Sequence, residues 1–335
     1  MKCLNSIEMF EINSRLYYID NLKAFLIILV VLGHVIQTSD MDFDHNILFR
    51  YIYSFHMPLF MYVSAFVCYK PSQSWGVLKK RFRQLMLPFL SWAFINACLV
   101  GDFSVLIKNI FHPDTALWFL WVLFFITILY VACVKLGEQW NIKSEYIAIA
   151  VVAIGYSIMI VLKFKYFGFQ FIAWYFPFFC LGAYMRKYES YIKRWMRILM
   201  CPCFILFLVS AYWWMRKEPP LFMNPSANVI YNYIYKGGVA LLAVTSILTI
   251  FNRMGGVKNH YFNMLGRETL GIYAIHLFLL GRFYEWFVSC FDSFYIVSVV
   301  LFTFVLLVVS HYIYRLLSIC HWTARFLLGI EDRRK

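Results

Sequence analysis

Long apolar runs, separated by short polar and basic segments, dominate the chain. A helix that crosses a bilayer needs about 17–25 mostly apolar residues. The runs are continuous, whereas the strands of a transmembrane β-barrel alternate apolar and polar residues. The pattern therefore predicts an all-α, polytopic transmembrane helical bundle of about ten spans. These lie near 22–39, 47–69, 85–101, 115–134, 145–162, 169–185, 198–215, 229–251, 268–289 and 294–314.

Composition supports this prediction. Hydrophobic residues make up 62% of the 335 residues and charged residues only 14%, whereas soluble domains carry about 25% charged residues. Residues 1–20 are mixed and polar, and no small-residue cleavage site follows the first apolar run. We expect no cleavable signal peptide, one domain over 1–335, and short interfacial segments within 102–113 and 216–228.

The basic residues are distributed unequally between the two sides of the bundle. The formal net charge is +14, and 23 of the 31 Lys and Arg residues lie on the side of the N-terminus. The positive-inside rule then predicts that both termini are cytoplasmic, in a multi-pass protein of the inner (cytoplasmic) membrane. Because the cations lie in short loops between apolar runs, they predict contact with membrane lipid or phosphate and no binding of nucleic acid.

Three histidines lie within apolar runs, where an ionisable residue is costly and indicates a functional site. At a rise of about 1.5 Å per residue, His34 lies roughly 16 Å, His276 roughly 14 Å and His56 roughly 21 Å from the basic surface. These similar depths predict a shared polar site near mid-membrane. The structural alternative is that each is a hydrogen-bonded core residue.

The five other histidines fall at loops or helix ends and are predicted to be structural: His45, His112, His260, His311 and His321. The nine cysteines lie mostly inside apolar runs, where Cys behaves as a small hydrophobe. Their spacing predicts no metal site, although Cys201 and Cys203 are close in sequence.

Cations on the predicted cytoplasmic side are candidates for binding phosphate. Four of them occupy the five positions from 79 to 83, and the Arg fork matches phosphate oxygens well. Lys23 shares a helix face with His34, because eleven residues come within about 20° of three full turns. We predict a phosphate-rich cytosolic ligand bound by Lys23, Lys80, Arg81, Arg83 and Arg267. The structural alternative for the basic stretch is an anchor for lipid headgroups.

Three further residues are candidates for an acceptor site in the outer half of the bundle. Lys236 lies within an apolar run and has no partner nearby in sequence. Arg282 and Glu285 are spaced to pair with each other on one helix face. Trp118 belongs to an aromatic cluster typical of the membrane interface, although such faces also stack on sugars.

Several of these segments resemble one family. The sequence YIDNLK at 18–23, with ten residues between Lys23 and His34, resembles the Arg/Lys-x10-His signature of the integral-membrane acyltransferase family 3. Segments 55–64, 79–88 and 265–276 are similar to its second-helix, cytosolic and late histidine motifs, in the family's order. Together with 117–120, the set is most similar to the fucose 4-O-acetylase and surface-polysaccharide O-acetyltransferase branch. One departure is Ala65, where the family usually has Gly.

The resemblance covers residues 15 to about 315 and implies an O-acyltransferase that uses acetyl-CoA or a similar acyl-CoA and no metal. Many relatives carry an additional extracytoplasmic hydrolase-like domain, for which this chain has no room. The resemblance then implies direct transfer to the final acceptor, a cell-surface polysaccharide or a lipid-linked sugar. The sequence does not decide whether the acyl group is acetyl or succinyl. It also leaves open the acceptor sugar and the oligomeric state.

These residues suggest a mechanism. A sugar hydroxyl is too weak an acid to attack unaided, and neutral imidazole suits the role of general base near pH 7. We predict His34 as the base, with His56 and His276 orienting it, binding acceptor or steadying the oxyanion; an acyl-histidine intermediate stays open. Two alternatives are a transporter or flippase for lipid-linked saccharides and a non-catalytic assembly protein.

Overall fold

The computed structural model describes residues 17–70, 74–113, 117–164, 166–217, 221–254, 259–289 and 295–330, and these contain helices and no strand. We number the helices α1 (Tyr17–Ser39), α2 (Ile47–Cys68), α3 (Gly76–Val100), α4 (Ser104–Phe111), α5 (Trp118–Trp140), α6 (Ser144–Leu162), α7 (Phe169–Lys187), α8 (Glu189–Tyr212), α9 (Pro225–Arg253), α10 (His260–Arg267), α11 (Thr269–Ser289), α12 (Tyr295–Ile319) and α13 (His321–Leu327). The predicted all-α class is confirmed.

Nine helices of the described residues are long and apolar enough to cross a bilayer. They correspond to nine of the ten predicted runs. The tenth run, 268–289, forms α11, whose apolar part Thr269–Tyr284 is shorter than the other nine. The predicted interfacial segment at 102–113 contains α4, whereas the described part of 216–228 forms no separate helix before α9.

Helix boundaries depart from the prediction where charged residues continue a helix beyond its apolar run. The predicted third span begins at 85, but α3 begins at Gly76 and includes the basic stretch, with a π-helical turn at Phe82–Met86. Likewise α8 begins at Glu189 and α12 continues to Ile319. His311 therefore lies inside α12, and its predicted place near a helix end is wrong.

The bundle has a buried centre and a periphery. The apolar stretches of α1 and α2 are 67% and 72% buried, whereas those of α6 and α8 are each 11% buried. Helices α2, α9, α10, α11 and α12 all pack against α1. The two central helices carry His34 and His56, so the fold places these two side chains where neighbours approach from several directions.

Two glycines allow close approach of the backbones around this centre. A Cβ atom at Gly266 on α10 would collide with the backbone of Asp20 on α1, and one at Gly182 on α7 would collide with the backbone of Tyr62 on α2. Close backbone approach of this kind requires a residue without a side chain. These contacts fix α10 and α7 against the two central helices.

Residues 328–330 and α13 return to α3. The indole N–H of Trp92 donates to the carbonyl of Leu327 at 3.0 Å. Gly329 has a positive φ of 66°, and a Cβ there would collide with the backbone of Gln84. This segment thereby forms a wall beside the basic stretch. We refer to the end of the bundle with Lys23 and this stretch as the basic end, and to the end with α4 as the opposite end.

Candidate active site

The three predicted histidines lie together in the interior. The rings of His34 on α1 and His276 on α11 have centroids 5.5 Å apart. His56 on α2 joins them through Tyr53, whose ring centroid is 4.7 Å from that of His56 and 6.4 Å from that of His34. We call His34, His56 and His276 the histidine layer.

Two of these rings are hydrogen-bonded within their own helices. The Nδ1 atom of His56 lies 2.7 Å from the carbonyl of Ile52, and that of His276 lies 2.9 Å from the carbonyl of Ile272. A carbonyl oxygen only accepts hydrogen bonds, so each Nδ1 carries a hydrogen and Nε2 of the neutral ring is an acceptor. The Nε2 of His276 is buried and has no hydrogen-bond partner in the described part of the chain.

His34 differs from the other two histidines. It is half-buried, whereas His56 and His276 are buried, and its ring makes no hydrogen bond with the residues that the structure describes. The layer therefore presents the imidazole of His34 and the acceptor Nε2 of His276 side by side. Two adjacent proton acceptors are suited to removing a proton from a hydroxyl group.

Tyr53 is a member of the site that the sequence interpretation missed. It lies between His34 and His56, and its hydroxyl donates to Oε1 of Gln37 at 2.7 Å. A Cβ at Gly33 would lie 2.8 Å from the Tyr53 ring, so this glycine makes room for the ring. The signal was present, because residues three apart share a helix face: Tyr53 precedes His56 and Gln37 follows His34 by three.

A cavity of 430 Å³ extends from the basic end towards the histidine layer. Its inner part is lined by Val30, one helical turn before His34, and by Met57, next to His56. Tyr273 also lines it, and its ring centroid is 5.8 Å from that of His276. The cavity thus connects the basic end to the neighbourhood of all three histidines.

Three of the five predicted phosphate-binding cations line this cavity: Lys23, Lys80 and Arg81. Lys80 is exposed and the other two are half-buried. The guanidinium of Arg81 donates to Oε1 of Gln84 at 3.3 Å and to Sγ of Cys68, both of which also line the cavity. These contacts hold one guanidinium at the wide, charged part of the cavity.

The other two predicted cations lie elsewhere. Arg267 is half exposed, with Nε 4.0 Å from Oδ2 of Asp20, and it does not line the cavity. Arg83 lies in the π-helical turn of α3 and is also absent from the lining. The direction of these side chains explains why they do not line the cavity. Position along a sequence sets the depth of a side chain, but the rotation of its helix decides which way the side chain faces.

The three predicted acceptor-side residues likewise do not all lie together. Trp118, the first residue of α5, stacks on Tyr175 and Phe171 of α7 with centroid separations of 5.3 and 4.9 Å. Lys236 donates to the carbonyl of Arg216 at 3.0 Å. The ring of Trp174 on α7 lies 5.1 Å from that of Tyr233 on α9, so α5, α7 and α9 meet at the opposite end of the bundle.

Arg282 folds back on its own helix and is not brought to this group. Its guanidinium carbon lies 3.8 Å from the ring centroid of Phe278 and Nη1 donates to the carbonyl of Phe278 at 3.2 Å. The predicted partner of Arg282, Glu285, has a side chain outside the described part. Within that part, no group of three or more His, Cys, Asp or Glu residues is arranged to hold a metal ion.

The comparisons with known proteins show the family of the chain. A family model described as an acyltransferase domain, that of acyltransferase family 3, matches residues 16–315. The chain belongs to this acyltransferase family. The match includes the whole histidine layer and the cations that line the cavity. Together with the apolar helices it makes the chain a polytopic membrane protein.

Two curated relatives are similar to this acyltransferase-family chain. Nodulation protein NolL of Sinorhizobium fredii is 30% identical over 231 residues, which cover 61% of this chain and 59% of the relative. Nodulation protein NolL of Mesorhizobium japonicum is 30% identical over 192 residues, which cover 51% and 48%. The alignments therefore span about half the length of these relatives. No solved structure gave a significant match.

Proposed function

We propose that this protein is an O-acyltransferase of the inner membrane. It transfers an acetyl or similar short acyl group from cytosolic acyl-CoA to a hydroxyl of a cell-surface polysaccharide or lipid-linked sugar. The observation that carries the proposal is the cavity, which we call the donor cavity. It is lined by Lys23, Lys80 and Arg81, and also by Met57 and Tyr273, which are neighbours of His56 and His276 in the histidine layer; the three histidines themselves are not in its lining. This is the arrangement that a donor with phosphates at one end and a reactive thioester at the other requires.

Orientation follows from the charge distribution. The positive-inside rule assigns the basic end of the bundle to the cytoplasm, where acyl-CoA is available. The three cations would bind the phosphates of the donor, and the apolar lining would accept its extended arm. The acceptor would then approach the histidine layer from the opposite end.

In the proposed reaction His34 accepts the proton of the acceptor hydroxyl as its oxygen attacks the thioester carbonyl. The carbon–sulfur bond breaks, coenzyme A leaves as the thiolate, and the proton held on the imidazole passes to that sulfur. One ester and one thiol are formed for each thioester consumed. His56 and His276 each use Nδ1 in a hydrogen bond to a carbonyl, which leaves Nε2 of the neutral ring as an acceptor. This supports a role in orienting the hydroxyl over a role in donating to the oxyanion.

The experiment supplies labelled acetyl-CoA to membranes that contain wild type or His34→Ala. We expect His34→Ala to lower acyl transfer by about 100-fold or more, since a general base contributes a factor of that order. His45→Ala is the matched control, because His45 is an exposed histidine in the connection between α1 and α2. It should transfer at the wild-type rate.

A control for folding comes first, and two further measurements separate this function from its alternatives. Both variants should elute from detergent as wild type does and bind acetyl-CoA, which shows that His34→Ala is folded. Undiminished transfer by His34→Ala would refute the assignment of the base. Wild type that moves a lipid-linked saccharide across vesicles without releasing coenzyme A would indicate the transporter instead.

A further inference from the structure

Arg216 lies on the opposite side of the histidine layer from the donor cavity, in the segment that follows α8. Its backbone is held from two other parts of the chain: the N–H donates to Oδ1 of Asp44 at 3.1 Å, and the carbonyl accepts from Nζ of Lys236 at 3.0 Å. Arg50 on α2 donates to the carbonyl of Tyr212 at 3.0 Å, at the start of the same segment. The position of residue 216 is therefore well defined.

The side chain of Arg216 is exposed and makes fewer polar contacts with the protein than its backbone does. Its guanidinium carbon lies 5.9 Å from the ring centroid of Phe43, and the guanidinium makes no hydrogen bond or ion pair with the residues that the structure describes. The Asp44 carboxylate binds the backbone N–H instead. Ring contacts connect this position to the site, because the ring of Phe43 lies 4.9 Å from that of Phe49, which stacks on Tyr53 at 3.9 Å.

Aromatic faces adjoin this cation. At the same end of the bundle Tyr175 stacks on Trp118, with ring centroids 5.3 Å apart. On the other side Nζ of Lys236 lies 5.4 Å from the ring centroid of Trp214. Aromatic walls with a few well-placed polar groups are typical of sites for small ligands. Flat rings beside a cation suit a sugar that carries a negative charge.

We propose that Arg216 binds an oxyanion of the acceptor, a carboxylate or phosphate close to the hydroxyl that is acylated. This inference rests on the proposed function and adds the class of acceptor to it: an acidic or phosphate-bearing sugar. The planar guanidinium pairs with both oxyanions through two parallel hydrogen bonds. Lys236 is a positioning residue, because it holds the backbone carbonyl of Arg216.

The test measures binding of three probes to the purified full chain in detergent. The probes are methyl glucoside, methyl glucuronide and glucose 1-phosphate, which share a hexose ring and differ in the anionic group. We expect wild type to bind at least one anionic probe about tenfold more tightly than the neutral glucoside, as a charge-assisted hydrogen bond implies. Preference for the glucuronide indicates an acidic sugar, and preference for the phosphate indicates a phosphate-linked one.

Variants assign the preference to Arg216. Arg216→Gln should bind all three probes equally, and Arg216→Lys, which keeps the charge without the fork, should retain part of the preference. Lys217→Gln is the matched control, because Lys217 is the adjacent exposed cation, and it should bind the probes as wild type does. Wild-type preference should also fall as salt is raised, a check that needs no substitution.

Three outcomes overturn the inference: equal binding of the probes by wild type, a preference that Arg216→Gln retains, or a preference that Lys217→Gln loses to the same extent. Probe binding is measured without donor, so it fails independently of the proposed function. Anion preference without transfer from acetyl-CoA refutes only the transferase. Transfer without anion preference refutes only the role of Arg216.

Discussion

The histidine layer is flanked by cations at both ends of the bundle, but the two sets are supported differently. At the basic end Lys23 and Arg81 project from packed helices into a cavity between them. At the opposite end Arg216 lies on a connecting segment, exposed, and is held there by backbone hydrogen bonds. Connecting segments tolerate change far better than packed helices do.

This difference indicates how one bundle could serve different acceptors. The donor cavity is a product of helix packing, so altering its shape disturbs the core. Trp214 belongs to the core, but Arg216 and Lys217 are exposed and can be altered with little effect on it. Under the proposed function, acceptor specificity would then be set at the opposite end. On this view donor and acceptor binding should respond to separate groups of substitutions.

Among the tests of this comparison, the largest effect should follow from a change at the donor cavity. We expect Arg81→Gln to raise the KM for acyl-CoA about tenfold, through loss of a charge-assisted bond to phosphate, and to leave the KM for acceptor unchanged. Lys79→Gln is the matched control, because Lys79 belongs to the same basic stretch but does not line the cavity. Steady-state kinetics with each substrate varied in turn provide the measurement. An equal effect of both substitutions would show that the stretch acts only as a general positive surface.

A smaller effect should appear at the opposite end. Trp118→Ala removes the ring that stacks on Tyr175 and should raise the KM for acceptor about fivefold, the order of an aromatic contact, with the KM for acyl-CoA unchanged. Trp140→Ala, at the other end of α5 and 57% exposed, should change neither constant. A donor effect from Trp118→Ala would contradict the separation of the two ends.

The smallest effect is expected in a double variant, and it tests most directly whether the two ends act independently. In the double variant Arg81→Gln and Arg216→Gln, the two changes in kcat/KM should multiply, with a departure below about twofold, because distant sites without shared partners contribute additively. The four proteins of this double-mutant cycle are compared under one set of conditions. A larger departure would mean that donor and acceptor binding are coupled through the histidine layer.

Depth in the bundle could be predicted from the sequence. The apolar runs located the helices, and a rise of about 1.5 Å per residue placed His34, His56 and His276 at similar levels. The structure confirms that they lie together, with His34 and His276 in ring contact. Their chemical roles stay predictions.

Neighbours across helices could not be predicted in this way. Which face of α10 meets α1 depends on packing at Gly266, and this contact places Arg267 beside Asp20 instead of in the cavity. The sequence does not single out Arg216, because nothing near it in the sequence shows that Asp44 and Lys236 hold its backbone. Tyr53 was overlooked because a tyrosine in an apolar run does not stand out as an ionisable residue does.

The hydrogen bonds from Nδ1 of His56 and His276 to carbonyls four residues earlier have a consequence for biosynthesis. His276 is made 220 residues after His56, a delay of roughly 11–44 seconds at about 5–20 residues per second. During this interval α2 must remain in the membrane without α11. The hydrogen bond from His56 to Ile52 lies within one helix. One of the two ring nitrogens is therefore hydrogen-bonded before α11 is made, which lowers the free-energy cost of inserting α2 alone.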